Sequence, residues 1–397
     1  MNAPSGGALA GLRVLDVTQV MAGPYCTMIL ADLGATVIKI EPPEGDMTRR
    51  MPRAVGADTP AYNAVNRGKR SLVLDLKTPT GRDAVARLAQ TADIFVENSR
   101  PGVMAKLGVD YPTLSARNPR LIYASISGYG QTGPDRAKGG LDLIAQAVSG
   151  IMSVTGPPDG PPAKAGVPLT DLGAALFALT GILAALEYRH RTGAGQHVDA
   201  AQVDAGVALS VWEATEYFSG AGVPTPLGSA HRMVAPYQAF QCADGAVTIG
   251  ASTDLLFQRL CDVLGHPEWS SIAKFADNPS RVQHRAALAE RIESVMRQHP
   301  RHHWLAAFKA SDIPSGPINS YPEVVADPQV VAREMVVTVD HPTLGTMQTL
   351  GSPIKMSATP PEVHRRAPHL GEHTVEVLRE AGFNNAQIAA LAPTRAQ

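Results

Sequence analysis

Short apolar runs closed by turn residues recur along the first part of the chain. Leu12–Val17, Ala35–Glu41, Ser71–Leu76, Asp93–Glu97 and Leu121–Ser127 read as strands covered on both faces, because such strands are apolar throughout rather than alternating. Between them the period changes to that of a helix. Tyr25–Leu33 is apolar and stopped by Gly34, and Thr80–Gln90 is amphipathic. Strands alternating with helices predict βαβ units and a mostly parallel sheet, a doubly wound α/β domain. Two long helices follow, over Leu172–Arg191 and Val198–Phe218.

At Gly220–Pro226 the chain turns to Gly and Pro, the mark of a linker. Beyond it, Ala246–Ala251 predicts a strand, and Leu255–Leu264, Arg281–Arg297 and His303–Ala310 predict helices, a smaller α+β domain. After Pro322 come the short apolar runs Met335–Val339 and Met347–Leu350, then a helix over Thr374–Ala381.

Composition narrows the class. Of 397 residues, 35 are Lys or Arg and 36 are Asp or Glu, a formal net charge of −1. That balance argues against a general nucleic-acid or membrane-surface binder. The 36 Gly and 32 Pro are scattered, which suits a loop-rich α/β enzyme rather than a disordered chain. Cys26, Cys242 and Cys261 show no CxxC spacing, so a reducing cytoplasm is the expected location. The opening MNAPSGGALAG carries neither the basic start nor the apolar core of a leader. The longest uncharged apolar stretch, Leu172–Leu186, falls short of the roughly 20 residues of a membrane span and reads as a buried helix.

Candidate chemistry is sparse but specific. There is no HExxH, paired CxxC or acidic calcium loop, and His302–His303 stands among arginines at a helix start; no metal is expected. Gly128-Tyr129-Gly130-Gln131-Thr132-Gly133 fits GxGxxG after a strand, which taken alone suggests an NAD-dependent oxidoreductase. Pro134 and the charged run Asp135–Gly140 stand where that fold places a helix, so the other reading is a glycine-rich active-site turn. Met47–Arg82 carries eight cations (Arg49, Arg50, Arg53, Arg67, Lys69, Arg70, Lys77, Arg82) against Asp58 and Asp75. It is either a solvated charged face or a cradle for a polyanionic small molecule, since phosphates reward clustered Arg and Lys. Asp171 stands before Leu172–Leu186, with Arg189, His190, Arg191 and Gly193 at the far end. This predicts an N-cap whose carboxylate the helix end keeps ionised. A carboxylate so placed can be both cap and nucleophile.

Taken in order, these motifs resemble the class III coenzyme A transferases, a group that includes formyl-CoA and carnitine CoA-transferases and the related α-methylacyl-CoA racemases. The resemblance runs from Leu12 to the C-terminus. It is carried by VMAGPYCTMILADLGATVIKIEPPEGD (20–46), NRGKRSLVLDLKTPTGR (66–82), VENSRPGVMAKLG (96–108), SGYGQTGP (127–134), TDLGAALFALTGILAALEYRHRTGAGQHVD (170–199) and APYQAF (235–240). It implies a Rossmann-like large domain built from both chain ends, residues 1–220 and 323–397, with a smaller domain at 227–322 inserted between them. An interlocked homodimer is implied too.

The resemblance also implies a reaction. An acyl-CoA would pass its CoA to a free carboxylic acid, with Asp171 as the nucleophile, through mixed anhydrides and an aspartyl–CoA thioester. CoA is then a substrate, not a resident cofactor, and no nucleic acid or membrane is a partner. CoA contacts carry over to Val20, to Leu74 and Lys77 of LDLK, and to Asn98 and Arg100 of ENxRPG. Lys106 stands where the family commonly has Arg, and Ser99 replaces the usual aromatic beside the adenine. Gly130 carries over to the acyl side. Asp142, in GGLDLIAQA, matches an acid that helps hold the reacting carboxylate region; its other reading is a cap for Leu143–Val148.

Racemases of the group use a His directly before that acid, because exchange at the α-carbon needs two proton-carrying groups. Here Leu141 precedes Asp142, which favours transfer over an α-methylacyl-CoA racemase-like reaction. The glycine run of formyl-CoA transferase is replaced by Gly228-Ser229-Ala230-His231-Arg232-Met233. His231 and Arg232 suit the distal carboxylate of a dicarboxylic acid, with succinyl-CoA as donor; a structural surface pair is the other reading.

Overall fold

The computed structural model describes residues 6–52, 59–342, 345–363 and 365–391, so Arg53 and Asp58 of the basic stretch lie outside the described residues. The chain divides into two compact units. One takes the residues up to Ile151, then Ala165–Phe218, then those from Pro328 onward; the other takes Met152–Lys164 and Ser219–Asp327. Residues 152–164 therefore group with the second unit, although the apolar pattern assigns them to the first domain.

The first unit is a mixed α/β fold around one sheet. Its strands are β1 (Arg13–Asp16), β2 (Thr36–Glu41), β3 (Arg70–Val73), β4 (Ile94–Glu97), β5 (Ile122–Ser127) and β6 (His197–Ala201). Their order is β3-β2-β1-β4-β5-β6, with every neighbouring pair parallel. Successive side chains point to opposite faces, and both faces are covered. Val14, Val37, Val96 and Ala124 pack with α1 (Ala22–Asp32) on one side. Leu15, Ile38, Phe95 and Tyr123 pack with α2 (Pro79–Ala89) on the other. That two-sided burial is why these strands read as continuous apolar runs. All six strands fall within the first 201 residues. The C-terminal segment joins the unit through a separate hairpin, β10 (Val336–His341) with β11 (Gly345–Leu350), and through the helix Thr374–Glu380, whose Val377 and Leu378 enter the second core.

Helix α3 (Asp142–Val148) precedes α4 (Leu169–Thr192). Gly193, in the left-handed region at φ 78°, ends α4 as its sequence signals predict. The helix is longer than its uncharged stretch, and its 24 residues are long and apolar enough by composition to cross a membrane. Its packing follows a core pattern instead. Ala174, Ala178, Ile182 and Ala185 are fully buried, a stripe of mostly small side chains on one face. Leu176, Phe177 and Leu183 are exposed on the other.

The single helix expected over 198–218 is absent. His197–Ala201 instead forms the edge strand beside β5, followed by α5 (Gln202–Leu209) and α6 (Val211–Phe218), with a break at Ser210. An edge strand this short, with His197 and Asp199 exposed, carries too few alternations to be told from a helix turn. In the second unit, β7 (Tyr237–Cys242), β8 (Gly245–Gly250) and β9 (Ser315–Pro317) form an antiparallel sheet. The helix expected over 281–297 breaks at His284 into Asn278–Gln283 and Arg285–Met296.

Candidate active site

Strands β1 and β4 are neighbours, but the chain leaves them for opposite halves of the sheet: β1 leads to β2, and β4 to β5. Diverging connections leave a crevice at the carboxyl ends of the strands. A cavity of about 520 Å³ opens there. It is lined by residues 19–22 after β1, 98–101 after β4, 126–128 at the end of β5 and 138–142, together with Asp171 and Gln202.

The turn after β1 is held under constraint. Val20 sits at φ 70°, a conformation that a β-branched residue adopts only when its surroundings impose it. Asn98 supplies part of that hold: its Oδ1 accepts the Gln19 N–H at 2.9 Å and its Nδ2 donates to the Gln19 carbonyl at 2.8 Å. Asp46 Oδ1 accepts the Val20 N–H at 3.3 Å. Lys39, fully buried, donates to the Thr18 carbonyl and pairs with Asp46, both at 2.9 Å. Asn98, which the family resemblance assigns to CoA, thus spends its amide on shaping the turn.

The basic stretch is largely structural. Arg49 pairs with Glu41, Arg67 with Asp32 and Lys69 with Asp16, all buried, while Arg70 pairs with Glu376 and Glu380. Burial works against the Asp16 charge, but Lys69 and Lys39 beside it hold its carboxyl well below the usual range. Lys77 is left exposed on the surface.

Asp171 is not the cap of α4. The helix begins at Leu169 after Pro168, which places Asp171 at its third position. Capping comes from Asp142 instead. Its Oδ1 accepts the Thr170 N–H at 2.9 Å and the Thr170 hydroxyl at 2.8 Å, while Oδ2 accepts from Gln146 Nε2 at 2.7 Å. Nor does Asp142 cap its own helix, since it is the first residue of α3. Among the described residues, Gln202 Nε2 donates a hydrogen bond to Asp171 Oδ1. Burial, then the nearby charge of Asp142, pushes the Asp171 pKa up to about 6, with the Gln202 hydrogen bond opposing. The helix end does not keep this carboxyl low; desolvation wins.

The glycine motif has a packing cause. A Cβ on Gly128 would stand 2.4 Å from the Cα of Gly140, so two backbones cross where no side chain fits. Gly130, at φ 85°, lies near the Asp199 carboxylate and is not part of the cavity lining. Leu141, in the position of the racemase His, does line the cavity.

Of the residues singled out from sequence, Val20, Asn98, Arg100, Asp142 and Asp171 meet in this cavity; Leu74, Lys77 and Lys106 do not line it. The Leu74 side chain is in the core, and Lys106 is exposed. His231 and Arg232 belong to the second unit. There, Arg285 Nη2 donates to the carbonyls of His231 and Arg232 at 2.7 and 3.0 Å, and Arg232 Nη2 to the Thr225 carbonyl at 2.7 Å. Gln202 and Lys138 line the cavity and carry no motif that marks them in the sequence.

A parallel sheet with a half-buried carboxylate at its switch point is the arrangement of an α/β enzyme. The CoA-transferase family III model matches residues 9–374, and the chain belongs to that family; it is a CoA-transferase. It is 41% identical over 380 residues to the succinate–glutarate CoA-transferase of Agrobacterium fabrum, covering 94% of this chain and 95% of that one. To the succinyl-CoA:mesaconate CoA-transferase of Haloarcula hispanica it is 43% identical over 394 residues, covering 95% and 97%. Among solved structures it matches a CaiB/BaiF family protein from Brucella suis with a TM-score of 0.85 and 38% identity, over 95% of this chain and 100% of that one.

Proposed function

We propose that this enzyme moves CoA from a donor such as succinyl-CoA to a short dicarboxylic acid through covalent intermediates on Asp171. The carrying observation is the half-buried Asp171 carboxylate, with a pKa near 6, in a cavity at the switch point. Such a group is ionised at neutral pH yet poorly solvated, which makes it a better nucleophile than a carboxylate in water. The activities of the succinate–glutarate and succinyl-CoA:mesaconate CoA-transferases that this chain resembles support the substrate class.

The steps balance without a proton donor. An Asp171 oxygen attacks the thioester carbonyl, the C–S bond breaks, and CoA leaves as thiolate from a mixed anhydride. The thiolate attacks the aspartyl carbonyl, giving an aspartyl–CoA thioester and releasing the donor carboxylate. The acceptor carboxylate attacks that thioester, forming a second anhydride and freeing the thiolate. Attack of the thiolate on the acceptor's carbonyl then yields the new acyl-CoA and restores Asp171. One thioester is exchanged for another, so no phosphate bond is consumed.

Val20 and Arg100 are assigned to CoA at the cavity, with Asn98 holding the turn. The Leu74 backbone, Lys77 and Lys106 are assigned to its nucleotide end, Gly130 to the acyl side, and His231 and Arg232 to the distal carboxylate. A homodimer accounts for the apolar outer faces of α4 and α6, where Trp212 is 57% and Phe218 80% exposed; isolated soluble chains rarely leave such faces bare. Location in a reducing compartment fits the three free, buried cysteines.

Mass spectrometry of enzyme quenched with succinyl-CoA tests the mechanism. The expected result is a CoA or acyl adduct on the peptide carrying Asp171. An adduct on another residue, or turnover retained by Asp171→Ala, refutes it.

A further inference from the structure

Gln202 opens α5 directly after the edge strand, with 8% of its surface exposed. Its Nε2 donates to Asp171 Oδ1. An ionised carboxylate only accepts hydrogen bonds, so the amide must present its NH₂ there and turn its oxygen the other way. That oxygen, Oε1, is buried without a partner. It faces the backbone of Gly140, where a Cβ would come within 2.7 Å of it, and Gln202 lines the same cavity as Asp171. A buried carbonyl oxygen lacking a donor costs stability until one arrives.

We propose that Gln202 is a bridge between nucleophile and substrate: Nε2 orients Asp171 while Oε1 accepts the first amide N–H of the pantetheine arm. This rests on the reading of Asp171 as nucleophile. In a CoA thioester that N–H is separated from the sulfur by two methylenes, and the acyl carbonyl is bonded to the same sulfur. One primary amide therefore spans the distance between a carboxylate poised at the carbonyl and the N–H next along the arm. The bridge reads the thiol part of the substrate, which is common to donor and product, and leaves the acyl group to other residues. It also fixes which Asp171 oxygen attacks: Oδ1 is occupied by Nε2, and Oδ2 is the nucleophilic atom.

The test compares two truncated succinyl donors, the thioester of N-acetylcysteamine and that of an alkanethiol of equal length lacking the amide. Wild-type enzyme is expected to prefer the amide-bearing donor roughly tenfold in kcat/KM, the weight of one hydrogen bond to an otherwise unpaired buried acceptor. Gln202→Met, similar in volume, should lose that preference. Its acidic limb in the pH profile should also move to higher pH, because Asp171 loses its N–H donor. Gln202→Glu keeps an acceptor oxygen and should retain the preference while showing the same movement of the limb. An equal preference in wild type and Gln202→Met overturns the bridge. Adduct trapping in wild type separates the two failures: no adduct on Asp171 sinks the nucleophile, whereas a normal adduct with unchanged preference sinks Gln202 alone.

Discussion

Asp142 Oδ1 accepts both the backbone N–H and the hydroxyl of Thr170, the residue immediately before Asp171. A carboxylate from one helix thereby caps another, and the same negative charge helps raise the Asp171 pKa. Fixing the helix end and tuning its third residue are one arrangement. Asp142→Asn keeps an oxygen toward Thr170 but removes the charge, so the acidic limb of kcat/KM is expected to shift to lower pH. Asp142→Ala should cost about 1 kcal/mol of stability through the lost cap. A pH–rate profile of the Asn variant that overlays wild type would break the link between the cap and Asp171.

Asp171→Asn is expected to abolish transfer and to stabilise the fold at neutral pH. The native carboxyl titrates near 6 and the unfolded one near 3.8, so the folded state binds the proton more tightly. Stability then falls as pH rises between those values, and above about 6 the full penalty applies, on the order of 3 kcal/mol. The neutral variant escapes it. Thermal melts of both proteins should separate at pH 7.5 and converge near pH 4; parallel curves would show that burial does not penalise this carboxylate.

Asn98→Ala removes both bonds to Gln19 and releases the strained Val20 turn. KM for acyl-CoA is expected to rise about tenfold, the scale of one or two lost hydrogen bonds in a binding loop. Asn98→Asp keeps the acceptor for the Gln19 N–H and should recover part of the loss. Steady-state kinetics with unchanged KM in the Ala variant would remove Asn98 from the positioning of the turn.

Arg232→Ala should lower turnover with short dicarboxylic acids at least tenfold, as expected for one lost charge-assisted pair, while leaving short monocarboxylic acids unaffected. Exchange assays over a panel of acids decide it. Equal losses for both classes would assign Arg232 to the loop, beside the contacts that Arg285 already makes there.

The strands β1 to β5, helix α2 and the long helix around Asp171 were legible because each is specified by neighbours along the chain: apolar periodicity, turn residues, a glycine stop. The edge strand at His197–Ala201 was not, since half of its surface is solvated and its partner, β5, lies some seventy residues earlier. The GxGxxG pattern marked a true constraint but not its cause, which is a crossing with Gly140.

The sequence by itself determined the alternation of elements, the family, and which carboxylate to watch. Only the tertiary structure decided what that carboxylate experiences. Its helix is capped by Asp142 from an earlier helix, and its hydrogen-bond donor is Gln202, 31 residues later. Its pKa follows from burial and from the charge of Asp142, 29 residues earlier. Propensity and periodicity act between adjacent residues, whereas desolvation and hydrogen-bond partnership depend on what folding brings into contact.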